Sequence, residues 1–268
     1  MENYDENLNR FAAEGAAPLP ETAKQDFVEH DGARIWYAAF GSGKPVLLLH
    51  GGLGHSGNWG YQVPALVENG YQMVVIDSRG HGRSTRDDRP FAYKLMATDV
   101  LAVMNTLQLD KVALVGWSDG AVIALELARQ VPERVSGVFY FACNVDESGT
   151  KEFEFTPIVG NCFNRHVADY QQLSATPDQF EDFAEAVGLM QRTQPNYTTA
   201  DLTAITVPVT IVHSEHDEFI KREHAEYLAK TIPNADFVFL SGVSHFALLQ
   251  RPDQFNETIQ AFLNKVFS

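Results

Sequence analysis

The sequence predicts an α/β fold: a mostly parallel central sheet with helices on both faces. Three observations support this prediction. Continuous apolar runs recur along the chain, which is typical of strands that are buried on both faces. Helical patterns lie between these runs, and strands that alternate with helices form parallel βαβ units. Asp31 and Gly32 separate two further strand-like segments, which predicts an antiparallel hairpin at one edge of the sheet.

Each predicted element has its own sequence pattern. The predicted strands are 26–30 and 34–40 in the hairpin, followed by 45–50, 71–77, 111–117, 135–142, 207–214 and 235–241. The predicted helices are roughly 57–69, 94–108, 119–130, 222–231 and 253–267. The last helix begins near Pro252, and its apolar side chains recur at the spacing of one helical face. We therefore expect it to pack on the sheet.

Residues 144–204 interrupt the alternation because they contain no convincing strand, and such a length is too great for a plain loop. We predict a small helical cap here, a core of residues 25–143 and 205–268, and a loose lead-in over 1–24. The cap region contains the aromatic residues Phe153, Phe155, Phe163, Tyr170, Phe180, Phe183 and Tyr197. They favour a partly apolar substrate, although packing explains each of them equally well.

The charge and the hydropathy pattern of the chain argue against nucleic-acid-binding, membrane-bound and secreted proteins. The chain has 268 residues and a net charge of −15, which opposes binding to nucleic acids and anionic membranes. No apolar stretch is long enough to span a bilayer, and the acidic N-terminus lacks the pattern of a signal peptide. We expect a cytoplasmic protein with a small-molecule substrate, no cofactor and no metal, and we leave a homo-oligomer open.

A five-residue motif points to nucleophilic catalysis. Gly116-Trp117-Ser118-Asp119-Gly120 matches the pattern G-x-S-x-G. The match follows a predicted strand and precedes a predicted helix, which is the setting of a nucleophile elbow. The turn is so sharp that small residues have to flank it, and the start of a helix favours developing negative charge. The motif predicts that Ser118 is a nucleophile, and the alternative is a serine that only caps the helix.

A serine nucleophile needs a base and an orienting carboxylate. Asp217 follows the strand at 207–214, and His245 follows the strand at 235–241. Both lie beyond the carboxyl ends of strands, where open α/β sheets place their sites. We predict His245 as the base and Asp217 as the acid, with Glu215 and Asp146 as alternative acids.

The tetrahedral intermediate needs hydrogen-bond donors for its oxyanion. We predict the backbone N–H of Asp119 and that of Gly52, which lies in the glycine-rich segment 50–59, with Leu53 as the alternative to Gly52. We assign substrate binding to Leu53, Trp117 and Phe246, which neighbour these groups in sequence. His166 of the cap is a further candidate for substrate contact.

The chain resembles the α/β-hydrolase superfamily from about residue 25 to its C-terminus. The motifs are HGG at 50–52, DSRGHGRS at 77–84, GWSDG at 116–120, SEHD at 214–217 and SHF at 244–246. SEHD resembles the family's G-x-x-D acid turn with serine in place of glycine. Within the superfamily, GWSDG and the compact cap resemble esterases and lactonases near the valacyclovir hydrolase, enol-lactonase and C–C hydrolase groups, and the similarity does not choose between these groups.

The resemblance implies a cofactor-independent serine hydrolase that cleaves an ester or lactone. C–C bond cleavage and cofactor-free perhydrolysis on the same triad are the alternatives within this class of enzyme. A ligand-binding sensor on a hydrolase scaffold is the alternative outside it. The carboxylate of Asp119 suggests one refinement, a preference for substrates that carry an amine, although it also complements the dipole of the helix that it begins.

Overall fold

An eight-stranded sheet forms the centre of the computed structural model, which describes residues 5–22, 24–152 and 154–268. The strands are β1 (Gln25–His30), β2 (Ala33–Phe40), β3 (Lys44–Leu49), β4 (Tyr71–Ile76), β5 (Val112–Trp117), β6 (Val135–Phe141), β7 (Val209–His216) and β8 (Ala235–Ser244). They lie in the order β1-β2-β4-β3-β5-β6-β7-β8. Strand β2 pairs antiparallel with β1 and β4, and every other pair is parallel. The predicted fold class and its edge hairpin are confirmed.

Ten α-helices accompany the sheet in the described part of the chain. They are α1 (Glu6–Glu14), α2 (Gln62–Glu68), α3 (Tyr93–Thr106), α4 (Asp119–Gln130), α5 (Pro157–Leu173), α6 (Phe180–Thr193), α7 (Thr199–Thr203), α8 (Arg222–Thr231), α9 (Ala247–Gln250) and α10 (Pro252–Val266). The predicted helix over 57–69 is divided into a 3₁₀ turn at Ser56–Trp59 and α2. His55 caps this turn by accepting a hydrogen bond from the Gly57 N–H.

The central strands are buried on both faces, as their continuous apolar runs predict. In β3, Leu47 and Leu49 pack in the core on one face of the sheet, while Val46 and Leu48 pack in the core on the other. This alternation follows from the two-residue period of a strand. The buried side of α10, which includes Phe255 and Leu263, completes the second core.

The N-terminal segment is not loose throughout, because α1 lies within it. Leu8 and Phe11 of α1 are buried in the second core, where the helix packs against α5 and α9. Asp5 caps the helix and pairs with Arg251. The segment is short and acidic with few apolar residues, so its helix depends on tertiary contacts that the sequence pattern does not reveal.

The region predicted as a cap contains α5, α6 and α7. Among its described residues, 144–152 and 154–204, none belongs to a strand of the sheet, although Thr150 forms an isolated bridge with Ile220. Phe180 and Phe183 are buried and pack beside Tyr170, while Phe155 is exposed. Phe153 lies outside the described residues. The domain boundaries themselves stay a prediction.

The topology gathers the predicted functional residues at one edge of the sheet. Ser118 directly follows β5, Asp217 directly follows β7, and His245 directly follows β8. These strands run parallel, so their carboxyl ends meet at the same edge. In the described residues, no helix has the length and apolar character to cross a membrane.

Candidate active site

The backbone of Ser118 is held in a conformation that residues other than glycine rarely adopt, with φ 53° and ψ −124°. The Ser118 N–H donates to the carbonyl of Phe141 at 2.8 Å, and the Ala121 N–H donates to the carbonyl of Ser118 at 2.8 Å. The turn requires glycine at Gly120, where an added Cβ would lie 2.1 Å from the carbonyl oxygen of Leu49. This is the geometry that the nucleophile elbow predicts.

A hydrogen bond joins two of the predicted catalytic residues. Nδ1 of His245 lies 3.1 Å from Oδ2 and 3.3 Å from Oδ1 of Asp217. The N–H groups of Phe219 and Ile220 donate to Oδ1 of Asp217 at 2.9 and 2.8 Å, so the carboxylate is fixed by its own turn. The two side chains are almost completely buried.

The alternative acids have other partners. Glu215 accepts a hydrogen bond from the Gly242 N–H, and Asp146 caps a 3₁₀ turn by accepting from the Ser148 N–H. The structure therefore places Asp217, rather than either alternative, beside the imidazole.

Burial and charge act against each other on this pair. Burial disfavours the protonated imidazole, but the carboxylates of Asp217, Glu218 and Asp119 outweigh it and raise the pKa of His245 above its ordinary value. Burial likewise disfavours the Asp217 carboxylate, but His245 and the two backbone N–H groups outweigh it and lower the pKa of Asp217. Asp217 is therefore ionised at neutral pH.

The glycine-rich segment after β3 lies against the elbow. His50 accepts a hydrogen bond from the Ser78 N–H at Nε2, which leaves Nδ1 to donate to the carbonyl of Gly51 at 2.8 Å. Burial lowers the pKa of His50 to about 4, so the ring is neutral. Because the peptide unit is planar and trans, the N–H of Gly52 points away from the Gly51 carbonyl.

Asp119, beside the nucleophile, is buried and doubly bound. Its Oδ1 accepts from the Tyr93 hydroxyl at 2.8 Å, and its Oδ2 accepts from Nε2 of Gln191 at 3.0 Å. Burial raises the pKa of Asp119, and these two hydrogen bonds oppose the shift. A Cβ on Gly52 would lie 2.6 Å from Oδ2 of Asp119, so the glycine loop touches this carboxylate.

A cavity of about 730 Å³ brings the predicted site residues together. Its lining includes the predicted residues Gly52, Leu53, Trp117, Ser118, Asp119, His166, His245 and Phe246. Asp217 lies behind His245, outside the lining. Phe155 and Phe163 of the cap region line the cavity, whereas Phe180, Phe183 and Tyr197 do not. Phe155 and Phe163 therefore face the cavity, whereas the other three lie outside its lining.

Sequence reasoning missed several groups of this cavity. Tyr93, the first residue of α3, lies in the cavity wall, and Gln191 reaches Asp119 from α6. Neither residue belongs to a motif, and their contacts span 26 and 72 residues of the chain. Cys143, which follows β6, also lines the cavity, and burial raises the pKa of its thiol. In the described ranges, no group of three His, Cys, Asp or Glu side chains is arranged to hold a metal ion.

Comparisons with known proteins identify the family and the fold. The family model of the alpha/beta hydrolase fold matches residues 44–186. The chain is 26% identical to the serine hydrolase BPHL of Mus musculus, over 94% of this chain and 90% of that protein. It is 28% identical to a non-heme haloperoxidase of Rhodococcus erythropolis, over 87% of this chain and 97% of that protein. Among solved structures, Est816, an N-acyl homoserine lactone degrading enzyme, aligns with a TM-score of 0.71 and 28% identity, covering 88% of this chain and 100% of that chain.

The fold defines an α/β protein whose candidate site residues lie at the carboxyl ends of parallel strands. The chain belongs to the α/β-hydrolase family, which confirms the resemblance found in its motifs.

Proposed function

We propose that this protein is a serine hydrolase that cleaves an ester or lactone of a small, partly apolar molecule. One observation carries the proposal: His245, paired with Asp217, lines the same cavity as Ser118 in its strained turn. A hydroxyl, an imidazole and a buried carboxylate in this arrangement are the parts that acyl transfer requires.

In the proposed mechanism, the Ser118 hydroxyl attacks the substrate carbonyl while Nε2 of His245 accepts its proton. Asp217 accepts the hydrogen bond from Nδ1, which fixes the tautomer of the ring and stabilises the imidazolium. The N–H groups of Gly52 and Asp119 bind the oxyanion. His245 then protonates the leaving alkoxide as the acyl-enzyme forms. In the second half of the reaction, His245 takes a proton from the attacking water and returns it to the oxygen of Ser118 as the acid leaves. The cap region encloses the substrate, and Leu53, Trp117 and Phe246 contact it.

The direct test is turnover of a panel of nitrophenyl esters and small lactones, with acyl-chain length as the variable. We expect hydrolysis by the wild type and a loss of about 10⁵- to 10⁶-fold in kcat for Ser118→Ala. Mass spectrometry of a slowly hydrolysed ester should detect an acyl group on Ser118. A folded wild type that binds these esters without turnover would favour the ligand-binding alternative.

Asp119 supplies a prediction about substrate charge. Its carboxylate lies in the cavity wall, so we expect esters with an amine near the carbonyl to be preferred over neutral esters of the same size. Asp119→Asn keeps the size of the side chain and removes its charge. This variant should lower the ratio of kcat/KM for aminoacyl over neutral esters about 10- to 100-fold, since a hydrogen bond to a charged group is worth about 1.5–3 kcal/mol. An unchanged ratio would assign Asp119 to the helix terminus alone.

Perhydrolysis is the second candidate, favoured by the similarity to the non-heme haloperoxidase of Rhodococcus erythropolis. In this reaction hydrogen peroxide replaces water in attack on the acyl-enzyme, and a peracid leaves in place of the acid. Product analysis with and without peroxide separates the two reactions.

A further inference from the structure

Two neighbouring carboxylates hold the same histidine. Asp217 binds the imidazole ring, while Oε2 of the half-buried Glu218 accepts a hydrogen bond from the backbone N–H of His245 at 2.9 Å. The ring of Phe219 meets the His245 ring edge-on, with centroids 4.7 Å apart. Three consecutive residues after β7 therefore contact His245, and the proposed mechanism uses only the first of them.

His245 depends on side chains for its backbone position. It lies between the end of β8 at Ser244 and the start of α9 at Ala247. Its N–H donates to Glu218, and its carbonyl accepts from Nε1 of Trp117 at 2.9 Å. Loss of either partner leaves a buried backbone group without its bond, which favours rearrangement of the connection.

The charges around His245 come from several elements. Asp217 and Glu218 face it from the turn after β7, Asp119 from the start of α4, and His213 from β7 itself. Lys151 donates to the carbonyl of Asp217, and Lys151 and Arg222 are cations that act on His213. Burial raises the pKa of the Glu218 carboxyl, and its hydrogen bond with the N–H of His245 opposes the shift.

We propose that Glu218 is a positioning residue for the hydrolytic reaction: its carboxylate holds the backbone of His245 and faces the imidazolium that forms as Ser118 attacks. This inference rests on the proposed function for its catalytic meaning. The charge of Glu218 stabilises the protonated ring, and its hydrogen bond holds the ring where the proton is transferred.

The chain contains a matched control for this role. Glu215 accepts a hydrogen bond from the backbone N–H of Gly242 at 2.9 Å, so it ties the same two segments of chain together. Its side chain is exposed and does not contact His245. Substitution of Glu215 therefore removes the same charge and the same kind of bond without touching the histidine.

The test compares Glu218→Gln and Glu218→Ala with Glu215→Gln and Glu215→Ala in the full chain. Glutamine keeps an acceptor for the His245 N–H and removes the charge. We expect Glu218→Gln to lower the plateau value of kcat/KM about three- to tenfold. At the acidic end of the pH profile, the fraction of its plateau activity that this variant retains should be about two- to threefold larger than the fraction that the wild type retains. Glu218→Ala should lose about 10- to 100-fold in kcat with little change in KM. The Glu215 variants should match the wild type.

An NMR titration of the His245 ring, identified by its absence from His245→Gln, makes the test independent of turnover. We expect this ring in Glu218→Gln to titrate at lower pH than in the wild type. The proposal is overturned if the ring titrates as in the wild type and the Glu218 variants match those of Glu215 in activity. If the wild type has no hydrolytic activity, the proposed function fails, and the titration alone then decides whether Glu218 acts on His245.

Discussion

At the scale of single residues, the backbone of Ser118 is strained. A positive φ outside glycine costs about 1–3 kcal/mol and persists only where neighbours enforce it. Here the neighbours are the carbonyl of Phe141, the N–H of Ala121 and the close approach of Gly120 to β3. The strain places the hydroxyl at the cavity instead of in the helix that follows.

The pH dependence of activity is a prediction at the same scale. The general base must be neutral to accept the serine proton, and its neighbouring carboxylates raise the pKa of His245 above 6.5. Activity should therefore be lost as the pH falls through this raised pKa. We expect kcat/KM to rise with pH with a midpoint above 6.5, measured on a neutral ester that does not ionise in this range. A profile that is flat between about pH 5 and 8 would contradict the assignment of His245 as the base.

Single residues also show where sequence reasoning stops. The sequence predicts that Asp217 follows a strand, but three acidic side chains lie within four residues of one another there. Their directions depend on the turn, in which two N–H groups converge on Asp217 and Glu215 turns to Gly242. Only the three-dimensional contacts show which of the three acidic side chains pairs with the ring of His245.

At the scale of elements, the unit made of β5, the elbow and α4 depends on close packing against β3. An added Cβ at Gly120 would lie 2.1 Å from the oxygen and 2.5 Å from the carbon of the Leu49 carbonyl. These are backbone atoms, so they can move only with the strand. The elbow and the glycine loop that follows β3 are therefore coupled.

Gly120→Ala should consequently lower the free energy of unfolding by about 1–3 kcal/mol or more and reduce turnover. The matched control is Gly188→Ala in α6, where an added Cβ approaches only the end of the Arg192 side chain. We expect that variant to be neutral or more stable by up to about 1 kcal/mol. Urea denaturation of both variants measures the difference, and equal stabilities would contradict the packing argument.

Elements differ in how well their sequence predicts them. The buried strands have continuous apolar runs and α10 has a periodic apolar face, so their positions agree with the prediction to within a few residues. Helix α1 does not, because its stability comes from Leu8 and Phe11 packing on elements more than 140 residues away. The contact of Gln191 with Asp119 is of the same kind, since it depends on how α6 lies over the core.

At the scale of the whole molecule, the parallel sheet explains why residues 118, 217 and 245 meet at all. Their strands are far apart in sequence, and the topology places their carboxyl ends at one edge. The alternation of strands and helices was sufficient to predict that the three candidate residues lie at this edge. The shape of the cavity was not predictable, because it depends on the packing of the cap region.

Labelling with a fluorophosphonate probe measures whether His245 and Asp217 activate Ser118. The probe reacts with a serine whose proton is taken by a neighbouring base. We predict that the wild type is labelled on Ser118 and that both Ser118→Ala and His245→Ala, folded as judged by circular dichroism, are not. A folded wild type that resists the probe, or equal labelling of His245→Ala, would contradict the account.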